Sequence, residues 1–157
     1  MQPREAHILT MLVDNEFGVL TRITAQIRRE GWNIKSIAAQ ETEDTAVTRI
    51  TLTLECFDST LPSVVHRLSR LACVRGVTAF DAEGFLCREL ALARVAASEA
   101  ARKTARRFGA AVAGETEETL LLQLAAEPAV LDAFLDELRA EGDTAYARTG
   151  AVTLEKR

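Results

Sequence analysis

The stretch HILTMLVDNEFGVLTRITAQIRREGWNIKSI, residues 7–37, decides the fold of this chain. It begins with an apolar run of strand length at residues 7–13, which ends at the polar loop 14–18. Apolar residues then recur at the spacing of one helix face as far as Ile27. The stretch therefore predicts a strand, a loop and a helix, with a second strand at residues 32–40.

The rest of the first half adds two strands and a helix. Residues 47–55 alternate between apolar and polar side chains, which predicts a strand of an antiparallel sheet with Thr51 on a face open to water. Residues 58–60 are good helix-capping types, and an amphipathic helix follows at 61–71. A fourth strand at residues 76–81 completes the order β-α-β-β-α-β. This order is the ferredoxin-like arrangement, in which both helices cover one face of the sheet.

The second half repeats that order of elements. Strand patterns lie at residues 89–96, 110–113, 119–125 and 144–154. One helix pattern follows the capping residue Ser98 and ends at Gly109, and another begins at Pro128 and ends at Gly142. The predicted fold class is therefore α+β, with two ferredoxin-like domains at residues 1–83 and 84–157.

Composition excludes several classes of partner. Hydrophobic residues make up 48% of the 157 residues and charged residues 27%, and the formal net charge is −4. A weakly acidic chain has no basic field to attract nucleic acid or an anionic membrane, so we expect neither partner.

The apolar runs are shorter than a membrane span, and the N-terminus lacks the pattern of a secretory signal. The odd number of cysteines, 3, without a CxxC pair, predicts free thiols and a cytoplasmic location.

The sequence favours a protein that is not an enzyme. Its two histidines are His7, which begins a strand, and His66, which falls on the outer side of a helix. The common nucleophile, dinucleotide, phosphate-loop and zinc-protease motifs are missing from the sequence. We therefore expect no catalytic residue, no metal site and no cofactor on this chain.

The loop at residues 14–18 is the best candidate for a binding site. A helix N-terminus attracts carboxylates, Gly18 allows close approach to the backbone, and Asn15 carries both a donor and an acceptor. Asn33 begins the second strand, which neighbours the first helix, and could supply a second amide. Together these donors and acceptors match the carboxylate and ammonium groups of a free amino acid. On residue types alone, ordinary roles as loop, turn and strand-edge residues are favoured. The second half has AASE at residues 96–99 instead, so only the first half can bind through this loop.

The same residues resemble a known family. DNEFGVL at residues 14–20 and GWNIKSI at residues 31–37 are similar to paired motifs in the small, regulatory subunits of acetolactate synthase. CRELAL at 87–92, LDAF at 131–134 and ARTG at 147–150 resemble later segments of that family, so the likeness spans nearly the whole chain. Trp32 replaces the usual Tyr or Phe, and Lys35 stands where an acidic residue is common.

This resemblance implies a fold and a function. It implies an ACT domain followed by a second ferredoxin-like domain, and a homodimer whose ACT sheets join edge to edge. The partner would be the large catalytic subunit, which carries the thiamine diphosphate, Mg and FAD. This chain would activate that subunit and confer feedback inhibition by valine or another branched-chain amino acid. The implied effector-binding residues are Asn15, Gly18, Val19, Leu20, Asn33 and Ile34, with Asn33 contributed by the neighbouring protomer.

Two other functions fit the sequence less well. A free-standing ACT-domain amino-acid sensor of another pathway would have no thiamine-dependent partner, and the ARTG segment argues against it. A small ferredoxin-like isomerase would need converging ionisable groups, which the sequence does not show.

Overall fold

The computed structural model describes residues 4–156. The chain divides into two compact units. The first contains Met1–Leu86 together with Ala151–Arg157, and the second contains Cys87–Gly150. The C-terminal tail therefore groups with the first unit.

The first unit has the predicted β-α-β-β-α-β order. Its elements are β1 (Glu5–Asp14), α1 (Val19–Arg29), β2 (Asn33–Glu41), β3 (Val47–Cys56), α2 (Leu61–Ser69) and β4 (Val74–Ala79). The strands form one antiparallel sheet in the order β2-β3-β1-β4. Because β1 and β3 occupy the centre, β2 and β4 form the two edges.

The core of the first unit lies between this sheet and its two helices. Leu9 and Met11 of β1 are fully buried, and so are Ile23 of α1 and Val64 of α2. Burying an aliphatic side chain of this size stabilises the fold by about 1.5–3 kcal/mol. The 3.6-residue apolar period of α1 therefore fixes which side of the helix faces the sheet, and with it the position of the loop before α1.

The opposite face of the sheet is covered at its centre, so the prediction that Thr51 faces water was wrong. Thr10 of β1 and Thr51 of β3 are 4% and 3% exposed. A short strand near the C-terminus, Val152–Glu155, places Thr153 against both, with hydroxyl oxygens 2.5 Å and 3.3 Å apart. Lys156 then donates its backbone N–H to the oxygen of Gly84. The polar alternation was read correctly, but a distant segment supplies the partners.

The second unit is also α+β and antiparallel. Its elements are β5 (Phe85–Ala96), which begins in the first unit, α3 (Glu99–Phe108), β6 (Ala111–Glu115), β7 (Thr119–Ala126), α4 (Pro128–Glu141) and β8 (Ala145–Arg148). The strand order is β6-β7-β5-β8. Its core packs Phe134 and Leu131 of α4, both fully buried, against β5 and β7.

Two local predictions need correction. The single strand expected at residues 144–154 is two strands, β8 and β9 (Val152–Glu155), because Gly150 turns the chain with a left-handed φ of 82°. Residues 58–60 do not cap α2 through a side chain. They form a short 3-10 turn, and Pro62 lies in the first turn of the helix.

Candidate ligand-binding site

The loop between β1 and α1 is held firmly by its neighbours. The N–H of Asp14 donates to Cys73 O at 2.9 Å, and the N–H of Asn15 donates to Ala46 O at 2.9 Å. Arg75 adds an ion pair, with its Nε 2.7 Å from Asp14 Oδ1. The β2–β3 turn and the start of β4 thus fix the loop, and its geometry does not depend on a ligand.

The side chain of Asn15 has a role that the sequence did not reveal. Its Nδ2 donates to Thr45 O at 2.9 Å and to Glu41 Oε1 at 3.0 Å. Both amide hydrogens are therefore used to tie the loop to the end of β2. We find no donor to its Oδ1 within residues 4–156, so this oxygen remains an acceptor for a ligand.

Gly18 opens the helix at the point where a ligand could approach it. Its φ of 80° is left-handed, and a Cβ placed there would have no atom within 4 Å. No side chain of the described residues caps α1, and its first turn holds no acidic residue. The N–H of Val19 donates to Glu16 O, but the N–H groups that follow it in the first turn and the positive end of the helix dipole are available to an anion such as a carboxylate.

The next two predicted site residues differ in exposure. Val19 is 8% exposed and packs into the core, and its N–H donates to Glu16 O at 3.2 Å, so neither its side chain nor its N–H is open to a ligand. Leu20 is 41% exposed, and Phe17 in the loop before it is fully exposed. An apolar surface therefore lies beside the uncapped helix end.

Asn33 and Ile34 lie at the other end of β2. Asn33 Nδ2 is 3.5 Å from Glu55 Oε2, and Ile34 is partly buried against the core. Lys35 Nζ lies 3.3 Å from Glu55 Oε1. The hydrogen bond from Lys35 and, to a smaller extent, that from Asn33 lower the pKa of the Glu55 carboxyl. The side chain of Asn33 is exposed and has a second amide hydrogen that can donate to a ligand.

A single protomer does not bring the two groups of predicted residues together. Asn15 is bonded to Glu41, the last residue of β2, whereas Asn33 is the first. Eight residue steps along a strand span about 26 Å. A site that contains both must therefore use Asn33 from a second copy of the chain.

No group of three or more potential metal ligands occurs among residues 4–156. His7 lies 3.2 Å from Asp58, and His66 is exposed on α2, as predicted. Among the helices of residues 4–156, none combines the length and the hydropathy that a membrane span requires.

The second unit contains a buried ion pair that joins two of the sequence motifs. Glu89 of the CREL segment is 6% exposed and is held by Arg148 of the ARTG segment, with Nε–Oε1 and Nη2–Oε2 distances of 2.8 Å and 2.7 Å. The N–H of Gly150 donates to the same carboxylate at 3.1 Å. The hydrogen bonds from Arg148 to the Glu89 carboxylate raise the pKa of the Arg148 guanidinium above its ordinary value. These residues serve the structure of β5 and β8, and residue types alone did not single them out.

Comparisons with known proteins cover nearly the whole chain. A family described as "AHAS small subunit-like ACT domain" matches residues 9–75, and one described as "Small subunit of acetolactate synthase" matches residues 88–157. The acetolactate synthase small subunit of Mycolicibacterium smegmatis is 30% identical over 96% of this chain and 91% of its own length. A probable acetolactate synthase small subunit of Archaeoglobus fulgidus is 30% identical over 94% of this chain and 95% of its own. The crystal structure of an acetolactate synthase small subunit from Thermotoga maritima superposes with a TM-score of 0.83, at 25% identity over 98% of both chains.

Proposed function

Because the chain belongs to the family of acetolactate synthase small subunits, we propose that it regulates a catalytic large subunit. In this proposal it activates that subunit and makes it sensitive to valine or another branched-chain amino acid. The thiamine diphosphate, Mg and FAD of the reaction belong to the large subunit, and the complex is cytoplasmic. A free-standing ACT sensor is disfavoured because the second unit also matches the small-subunit family, at residues 88–157.

The observation that carries the effector site is the position of β2 at the edge of the first sheet. An edge strand has unpaired N–H and C=O groups and can pair with a second copy of itself. Ile34 and Ile37 on this strand are only partly buried in one protomer, so pairing would cover them further.

Antiparallel pairing of β2 with its copy assembles the predicted site. A two-fold axis places the Asn33 end of one β2 beside the Glu41 end of the other. Asn15 is bonded to Glu41, so the loop and Gly18 come next to the partner's Asn33. Two equivalent sites form in each dimer.

The groups at such a site match a free α-amino acid. The uncapped N-terminus of α1 receives the carboxylate, and the free Oδ1 of Asn15 accepts from the ammonium group. The partner's Asn33 offers a further amide hydrogen, while Leu20, 41% exposed, offers apolar contact to an aliphatic side chain. The desolvated charged ends supply affinity, and the apolar contact selects a branched-chain effector.

Reconstitution tests this proposal directly. The chain is co-expressed with its large subunit, and acetolactate formation is measured without effector and with valine, leucine or isoleucine. We expect several-fold activation, inhibition by at least one of the three amino acids, and no acetolactate formation by the isolated chain. Turnover of pyruvate by the pure chain alone would contradict the regulatory role.

A further inference from the structure

Phe17 is the most exposed large apolar side chain among residues 4–156, at 102% of its reference area. A mobile loop does not explain this exposure, since the backbone on both sides of it is bonded. Glu16 N–H donates to Asp14 O at 3.0 Å, and Val19 N–H donates to Glu16 O at 3.2 Å. The loop thus presents a phenyl ring rigidly to the outside.

A recess of about 180 Å³ lies at the opposite end of the same sheet. Trp32, Cys56 and Phe57 supply its apolar lining, and Glu30 and Glu55 supply charge at its sides. Arg4 lies over the ring of Phe57, 5.5 Å from its centroid. Such a lining favours an aromatic ring, which can pack edge-on or offset against Trp32 and Phe57.

The symmetry of the proposed dimer brings the ring and the recess together. Trp32 directly precedes Asn33 at the start of β2, and Phe17 lies in the loop that Asn15 ties to Glu41 at its end. Antiparallel pairing of β2 with its copy aligns these two ends. A two-fold axis perpendicular to the sheet also keeps the helices of both protomers on one side. Phe17 precedes α1 and the recess lies where α1 ends, so both are on that side.

We propose that Phe17 of each protomer packs into the recess around the partner's Trp32 and closes one side of the effector site. The proposal rests on the β2-paired dimer described above and adds a contact to it. It makes effector affinity depend on dimerisation, because the same ring that buries the recess also shields the bound amino acid from water.

The single tryptophan of the chain, Trp32, provides the readout. In one protomer, Phe17 and Trp32 lie at opposite ends of a strand about 26 Å long, so any effect of Phe17 on Trp32 must cross the interface. The full-length chain is compared as wild type, Phe17→Ala and Phe17→Leu. Leu154→Ala serves as a matched control, because Leu154 is also exposed, at 58%, and lies outside the proposed contact.

Acrylamide quenching of Trp32 and sedimentation equilibrium are measured on all four proteins. Because truncation removes an aromatic ring from both copies of the interface, Phe17→Ala should raise the dimer dissociation constant about 5- to 150-fold. At concentrations where it remains dimeric, its Trp32 should be quenched more readily than in the wild type. Phe17→Leu should lie between, and Leu154→Ala should match the wild type.

The possible outcomes distinguish failure of the Phe17 contact from failure of the β2-paired dimer. Wild-type quenching and dimerisation in Phe17→Ala would overturn the contact and leave the β2-paired dimer intact. A wild-type chain that is monomeric at every concentration would overturn both. Equal changes in Phe17→Ala and Leu154→Ala would also overturn the contact, because they would show a general loss of stability.

Discussion

The two units have similar folds but differ in how the N-terminus of their first helix is capped. In the first, α1 follows Gly18 and has no side-chain cap from the described residues. In the second, Ser98 Oγ accepts from the N–H of Ala101 at 3.0 Å, and Glu99 adds a negative charge in the first turn of α3. The same topological position is open to an anion in one unit and closed in the other. Two similar folds can therefore differ at the same helix terminus, and we expect only the first unit to accept an anion there.

The largest expected effect is on the stability of the second unit, which we expect to act as a scaffold that does not bind the effector. Among the described residues, Arg148→Ala would leave the buried carboxylate of Glu89 with only the N–H of Gly150, so it should lower the free energy of unfolding by about 3–5 kcal/mol. Chemical denaturation measures this change. Arg106→Ala is the control, because its ion pair with Glu99 is exposed and should contribute little.

If the second unit is a scaffold, Arg148→Ala protein that remains folded should bind effector normally. Normal stability in this variant would show that the buried pair does not hold β5 and β8 together.

The next effect tests the open helix end. Gly18→Asp puts a carboxylate where the ligand's carboxylate would lie. It should weaken effector binding at least as much as the loss of one hydrogen bond to a charged group, about 10- to 150-fold. Calorimetric titration with valine measures the affinity.

Gly109→Asp is a matched control for backbone strain. Gly109 also has a left-handed φ, 71°, and open space around it, but it ends α3 in the second unit. Both variants should lose stability, and only Gly18→Asp should lose affinity. Equal affinity in the two variants would place the ligand elsewhere.

The smallest effect tests the closed helix end. Ser98→Ala removes the cap of α3 and should lower the free energy of unfolding by about 1 kcal/mol. Thermal melting measures it, with Ser69→Ala as a control for loss of an exposed hydroxyl. Effector affinity should not change in Ser98→Ala, and a weaker affinity would mean that the second unit contributes to the site.

Local sequence patterns were sufficient to predict most of the secondary-structure elements of the fold. The apolar periods of α1 and β3 and the glycine after α1, Gly31 with φ 72°, predicted elements that the structure confirms. The errors arose where partners are distant in sequence. The burial of Thr51 depends on Thr153, 102 residues later, and periodicity cannot reveal such a partner.

The sequence indicated the candidate loop and the conformation of Gly18, but not the hydrogen bonds around Asn15. The motif at residues 14–18 indicated the loop, and Gly18 has the conformation that glycine favours. That Asn15 uses its donors on Glu41 and Thr45 could not be predicted, because this contact depends on how the β2–β3 turn folds back. The ion pair of Glu89 and Arg148 was likewise hidden by a separation of 59 residues.

A subunit-mixing experiment tests most directly whether the effector site is shared between protomers. Gly18→Asp and Asn33→Ala homodimers each lack an intact site, and Asn33→Ala alone should weaken binding about 10- to 150-fold. In a mixed dimer, one site combines Gly18 of the Asn33→Ala chain with Asn33 of the Gly18→Asp chain, and is intact. Valine titration of the exchanged mixture should therefore recover a class of sites with wild-type affinity. A mixture that binds no better than the two separate homodimers, although exchange is verified, would contradict the shared site.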